Sequence, residues 1–131
     1  MAKFSENSHR RLDECHPDLI RLFNEVIKHV DCSILCGHRG EADQQEAYLS
    51  GKSKLQWPKS KHNQTPSLAV DVMPYPIDWF DNPRILHFVG FVRGMAKAMD
   101  IPIRSGADWN GNFDLKDKNF YDLPHFELTG D

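Results

Sequence analysis

What most constrains this chain is its length: 131 residues enclose one hydrophobic core and leave too little for two domains of ordinary size. Residues 1–131 are therefore expected to form a single domain with no separate binding module. The clearest periodic signal lies near the start. Over residues 10–30 the apolar positions Leu12, Cys15, Leu19, Phe23, Val26 and Val30 recur every three or four residues, the spacing of one helical face. Pro17 interrupts the run. Because proline suits a first helical turn and not an interior, the pattern predicts a short helix capped at Ser8 and then a longer one.

Downstream the pattern alternates between short strands and helices. Cys32 to Cys36 is an apolar run closed by Gly37 and reads as a strand, and residues 41–50 are good helix formers with Gly51 placed to end them in a left-handed conformation. Residues 52–67 are polar, contain Pro58 and Pro66, and read as a loop entering an apolar strand at 68–72. Long ordered loops in compact domains are more often functional than idle, so this one is a candidate wall of a binding groove. A further amphipathic helix is predicted over 83–99, where Ile85, Phe88, Val92, Met95, Ala96 and Met99 share a face, and Ile103–Ser105 and His125–Leu128 are the last strands. No internal repeat or low-complexity tract interrupts this order.

Charge and cysteine usage exclude several roles. A formal net charge of -3 and a pI near 6.1 give no basic excess with which to hold a nucleic-acid backbone. Residues 1–15 carry charges throughout, with no apolar run ahead of a small-residue cleavage site, so they do not read as a secretory signal. Nothing later is long and apolar enough to insert into a membrane. Cys15, Cys32 and Cys36 make an odd count, which fits reduced thiols in a cytoplasm better than a disulfide framework. Synthesis in the cytoplasm is expected, with a separate agent releasing the protein if its target lies outside the membrane.

The chemistry concentrates in residues 60–71 and 108–127, which periodicity explains least. Zinc favours imidazole and carboxylate ligands, and a catalytic site uses three of them with the fourth position left to water. His62 in the loop and Asp71 at the end of the following strand can both reach one ion, and His125 supplies the third ligand if its strand lies beside 68–72. Asp122, three residues before His125, can then sit beside the water without ligating the metal.

Ser60-Lys61-His62 leading to Ala69-Val70-Asp71, then Asp122-Leu123-Pro124-His125, resembles the LAS group of zinc peptidases, named for lysostaphin, D-Ala-D-Ala peptidases and sonic hedgehog. Within it the match is closest to the phage endolysin branch of L-alanyl-D-glutamate peptidases, which shares Gly106-Ala107-Asp108-Trp109 as well. The resemblance spans nearly the whole chain. It implies an α+β fold of the hedgehog/D-Ala-D-Ala peptidase kind, with helices packed on a small, mainly antiparallel sheet carrying the zinc site. It also implies a peptidoglycan stem peptide as substrate, zinc on His62, Asp71 and His125, Asp122 as catalytic base, and Arg39 as the residue stabilising the transition state. A monomer that lyses the host by cutting its cell wall is the corresponding expectation. One departure is that Asp71 follows His62 by nine residues where the family pattern has seven. Residues 63–67 read as a two-residue insertion that bulges outward without moving the metal, because loop closure costs little more for two added residues, and that lines the substrate groove.

Other features carry a bland reading beside a sharper one. Asp108, Asn110, Asn112 and Asp114 put oxygens at every second position, as at the start of a calcium (Ca2+) loop, but Phe113 stands where such loops place Gly and Asn119 where they place a bidentate Glu. An Asx-rich turn is the alternative. At least two of Trp57, Trp79 and Trp109 are expected in the core, Cys32 and Cys36 are expected as buried strand residues and not thiolate ligands, and His9, His16, His29 and His87 as structural residues. Lys52, Lys54, Lys59 and Lys61 are either a solvated loop face or a surface drawn to the anionic cell wall. Two other functions fit the same residues: a D-Ala-D-Ala carboxypeptidase or dipeptidase, and a non-catalytic, zinc-stabilised binding module needing neither Asp122 nor Arg39.

Overall fold

The computed structural model of the protein describes residues 2–115 and 122–130. Two helices, α1 (Glu6–Asp13) and α2 (Pro17–Val26), precede strand β1 (Cys32–Cys36) and helix α3 (Glu41–Leu49). After the loop, which holds a short 3-10 helix at Lys61–Asn63, come β2 (Ala69–Pro74), the long helix α4 (Asn82–Ala98), β3 (Ile103–Ser105) and β4 (His125–Leu128). Helix–helix separation at Pro17 is as its chemistry requires: Pro17 opens α2, where its missing N–H has no partner to lose, and the His16 ring accepts from Asp18 N at 3.0 Å. The cap of α1 differs from the expectation. Ser5, not Ser8, caps it, accepting from Ser8 N at 3.1 Å, while Ser8 turns inward and its buried hydroxyl accepts from Ile34 N at 2.9 Å. That bond satisfies a backbone donor on the outer edge of β1. Gly51 closes α3 at φ 83°, as its position predicts.

The four strands form an antiparallel sheet in the order β1-β2-β4-β3. Alternation along each strand gives the sheet two distinct faces. Val70, Val72 and Phe126 point into one core with Leu19, Leu22, Phe23, Ile85, Phe88 and Val92 from α2 and α4. Phe126 is its hub, with ring centroids 5.5 Å from Phe23 and 6.5 Å from Phe88. Each of these fully buried side chains contributes roughly 1.5–3 kcal/mol of transfer free energy, so β4 is anchored by its core face while its other face is left to chemistry. Among the described residues no helix is long and apolar enough to cross a membrane.

Candidate active site

The pairing register builds the site. Asp71 on β2 stands opposite Cys36 on one side and His125 on the other, a bulge between Ile34 and Cys36 bringing the cysteine into line. One step along, Glu127 stands between Ala69 and Arg104. These residues belong to the face opposite Val70 and Phe126, because side chains alternate at a period of two.

His62 reaches the same point from outside the sheet. Ser60 and Asn63 form a reciprocal capping box around the 3-10 turn that carries it, and Arg39 N donates to His62 O at 2.8 Å. The His62 Nδ1 atom lies 2.7 Å from Gly37 O. A carbonyl only accepts, so Nδ1 carries the hydrogen and Nε2 presents a lone pair. On His125 the same logic applies to the other nitrogen: Nε2 donates to Glu127 Oε1 at 2.8 Å, which leaves Nδ1 with the lone pair.

Those two lone pairs and one carboxylate oxygen converge. His62 Nε2 and His125 Nδ1 are each 3.2 Å from Asp71 Oδ1 and 3.3 Å from each other. Three electron-rich atoms at these distances repel unless protons or a cation lie among them. A tetrahedral zinc ion with bonds of about 2.0–2.1 Å has ligand–ligand edges of about 3.3–3.4 Å, so the triangle has the dimensions of one face of that polyhedron. The donor set, two imidazoles and a carboxylate, is also zinc's. Burial by itself disfavours the charge on Asp71, yet the facing histidines hold its carboxyl well below the usual range; burial likewise works against protonated His62 and His125, and Asp71 raises both above the usual imidazole value. Negative potential is concentrated here before any ion arrives.

Two further groups flank the triangle. Asp122 Oδ2 is 3.8 Å from His125 Nδ1, too far to complete the triangle's geometry and near enough to border it. Burial, and then the charge of Asp71, push its carboxyl up to about 6. The position is set by backbone: Asp122 N donates to Gly106 O at 3.0 Å and Gly106 N to His125 O at 2.8 Å. A Cβ on Gly106 would lie 2.1 Å from Asp122 O, so only glycine permits this approach. Arg39 points its guanidinium at the other carboxylate oxygen, with Nη2 3.5 Å from Asp71 Oδ2 and Nη1 donating to Gln44 Oε1 at 3.1 Å. All five sequence-derived site residues, His62, Asp71, His125, Asp122 and Arg39, thus meet in one place.

Sequence reasoning missed their supports. Glu127 is buried, binds His125 through Oε1 and Arg104 through Oε2 at 2.6 Å, and has Lys61 Nζ at 3.5 Å. Burial pushes its carboxyl up, but the hydrogen bonds from His125 and Arg104 outweigh it and hold it at about 2. The period of two along β4, with Glu127 two residues after His125, was the available signal. Gln44 is fully buried on α3 and fixes Arg39, its amide also bonding Asn63, Ser53 and Leu55. No sequence pattern marks it. Cys36 departs from the expectation of a buried strand residue and no ligand: it is half-buried, with Sγ 3.9 Å from His62 Nδ1, and it forms with His62 and Asp71 a group whose ligand atoms lie within 4.8 Å of one another, close enough to share a metal ion. Cys32 is buried as expected, and burial pushes its thiol, like that of Cys15, up to about 12.

Two clefts meet at the triangle and share Arg39, Lys52 and Asp122. The first, about 760 Å³, adds Asp43, Glu46, Asp71, Trp79 and Pro124. The second, about 450 Å³, adds Lys54, Lys59, Lys61, Arg104, Trp109 and Glu127 beside the two histidines. The expectation of core tryptophans is therefore corrected: Trp79 is 54% exposed in the first cleft, Trp109 is half-buried in the second with its ring 5.2 Å from that of His125, and Trp57 is half-buried on the loop. The insertion reading is corrected in part as well. Gln64, Thr65 and Pro66 do bulge outward, but they border neither cleft.

In the calcium-like run, Asp108, Asn110 and Asn112 each accept a hydrogen bond from the turn's own backbone. Asp108 Oδ2 accepts from Arg93 Nη1 at 3.0 Å and Phe113 N at 2.9 Å, Asn110 Oδ1 from Asn112 N at 3.2 Å, and Asn112 Oδ1 from Asp114 N at 2.8 Å. This is the Asx-rich alternative, and among the described residues these four form no metal-ligand group. Asn119 lies outside the described residues.

Known proteins resemble this chain in sequence and in fold. The sequence profile of the phage L-alanyl-D-glutamate peptidase family matches residues 1–129. The L-alanyl-D-glutamate peptidase of Escherichia phage T5 is 32% identical over 136 residues, spanning 97% of this chain and 98% of that protein. The crystal structure of the Serratia marcescens L-Ala D-Glu endopeptidase ChiX superposes with a TM-score of 0.74 at 27% identity, covering 97% of this chain and 90% of that one.

Proposed function

The chain belongs to the phage L-alanyl-D-glutamate peptidase family, and we infer from this and from the donor triangle that it is a zinc-dependent peptidoglycan endopeptidase hydrolysing the L-alanyl-D-glutamate bond of the stem peptide in host lysis. The observation that carries the metal and its ligands is the set of 3.2, 3.2 and 3.3 Å edges joining His62, Asp71 and His125. A single core and the match over residues 1–129 support reading the chain as one peptidase domain.

Zinc bound there supplies Lewis acidity, which brings a water's pKa toward neutrality and polarises a carbonyl. The protein's own groups do the rest. Asp122, with its carboxyl near 6, is ionised at neutral pH yet basic enough to take a proton from the attacking water and to return it to the leaving amine. Arg39, braced by Gln44, offers its remaining guanidinium donors to the oxygen on which negative charge grows. A preorganised donor of this kind contributes about 2.7–4 kcal/mol. Glu127 holds the His125 ring in the tautomer that ligation needs. A base and an oxyanion donor are groups that a pure binding module does not need, and the presence of Asp122 and Arg39 beside the triangle favours hydrolysis.

The test is digestion of purified peptidoglycan with the enzyme, with chelator, and with chelator followed by zinc, and mass analysis of the fragments. New L-Ala carboxyl and D-Glu amino ends that vanish with chelator and return with zinc are expected. Release of free D-Ala in their place overturns the bond assignment, and digestion indifferent to chelator overturns the metal.

A further inference from the structure

The two clefts beside the metal triangle differ in charge. Among the described residues, outside the ligands and the residues they share, the first holds two carboxylates, Asp43 and Glu46, and no cation; the second holds four cations, Lys54, Lys59, Lys61 and Arg104, against one carboxylate, Glu127. Two of those cations are built in. Lys61 follows the capping serine of the 3-10 turn, Arg104 is paired across the sheet with Glu127, and both converge on Glu127 Oε2, at 3.5 and 2.6 Å. The Arg104 side chain remains 44% exposed, its guanidinium carbon 5.4 Å from the centre of the Trp109 ring. Lys54 and Lys59 rise from the loop above, both exposed.

The substrate is unequal in the same sense. The acyl half of the scissile amide is L-Ala joined to uncharged sugar. On the amine half, D-Glu continues through its γ-carboxyl and keeps a free α-carboxylate two bonds from the leaving nitrogen. We propose that the second cleft is an anion subsite for this α-carboxylate, so that the stem peptide lies with its D-Glu half among Lys54, Lys59, Lys61 and Arg104 and its L-Ala half in the first cleft. The proposal rests on the endopeptidase reading above and extends it to substrate orientation and specificity. Asp122 borders both clefts, which places the base where the two halves part. A carboxylate in the first cleft would face Asp43 and Glu46, and like-charge juxtaposition discriminates against that reversed orientation.

The test uses two stem-peptide substrates that differ at one group, D-Glu with its free α-carboxylate and D-isoglutamine, where it is amidated. The zinc-loaded wild type is expected to prefer the carboxylate by about five- to tenfold in kcat/KM, carried by KM, a preference that narrows as salt is raised. The double reversal Lys54→Glu and Lys59→Glu, on exposed loop positions, should raise KM for the D-Glu substrate about tenfold, leave kcat within twofold, and abolish the preference. Thermal melting checks that the variant is folded. Equal use of both substrates by the wild type, or a preference that survives the reversal in the folded variant, overturns the subsite while cleavage at the L-Ala–D-Glu bond leaves the endopeptidase reading intact. Cleavage of both substrates at another bond overturns that reading and the subsite with it.

Discussion

Glu127 never touches the ion in the proposed site, yet its replacement should weaken zinc binding by an amount the structure grades. Its Oε1 accepts from His125 Nε2 at 2.8 Å in a buried position, while Oε2 neutralises Arg104 and Lys61. Glu127→Gln keeps an acceptor for the imidazole N–H, so the ring stays oriented, but the charge that enriches the opposite nitrogen is lost. Glu127→Ala removes the anchor as well and leaves two cations beside the ligand. Outer-shell partners of metal-bound histidines typically contribute 10- to 100-fold in affinity. The glutamine variant should therefore lose about tenfold, near 1.4 kcal/mol, and the alanine variant about a hundredfold, near 2.7 kcal/mol. Competition for zinc against a chromophoric chelator at fixed pH measures both, and circular dichroism melting of the metal-free proteins reports on the fold. Two folded variants that bind zinc within twofold of wild type would refute the idea that the carboxylate–imidazole contact tunes the site.

Arg39→Ala should lower kcat by about 10²–10³-fold while zinc affinity and melting temperature change little, which single-turnover kinetics and metal titration check. The pH dependence follows from Asp122, whose carboxyl is raised to about 6: a protonated base accepts no proton, so kcat/KM is present above that value and lost as pH falls through it. Because a nearby cation favours the carboxylate, the acid limb should have its midpoint at or below about 6, and a midpoint above 7 would exclude Asp122 as the base. Gly106→Ala should destabilise the fold by about 1–3 kcal/mol, since its Cβ would lie 2.1 Å from Asp122 O, and should lower activity further by displacing the base. Gly90→Ala, mid-helix with nothing within 4 Å of the added atom, should instead stabilise by about 0.5–1 kcal/mol; equal melting temperatures for the two variants would contradict the close-approach argument.

How much was legible in the sequence depended on whether the signal was local. Strands Cys32–Cys36, Ile103–Ser105 and His125–Leu128 and the break at Pro17 were readable because apolar spacing and proline geometry act within a few residues. The residue types of zinc chemistry, and the motif that orders His62, Asp71, Asp122 and His125 along the chain, were likewise visible. The cap at Ser5 was misassigned because Ser8 satisfies the same composition rule, and only the packing of α1 against β1 turned its hydroxyl to Ile34. The tryptophans were misplaced because size favours burial on average, whereas here the walls of two clefts take them. What the tertiary structure alone decided is the register that sets Asp71 against His125 and Glu127 against Arg104, the buried Gln44 that aims Arg39, and the opposite charge of the two clefts. Each depends on residues distant in the chain arriving at one point, a product of core packing around Phe126 that no short window of sequence encodes.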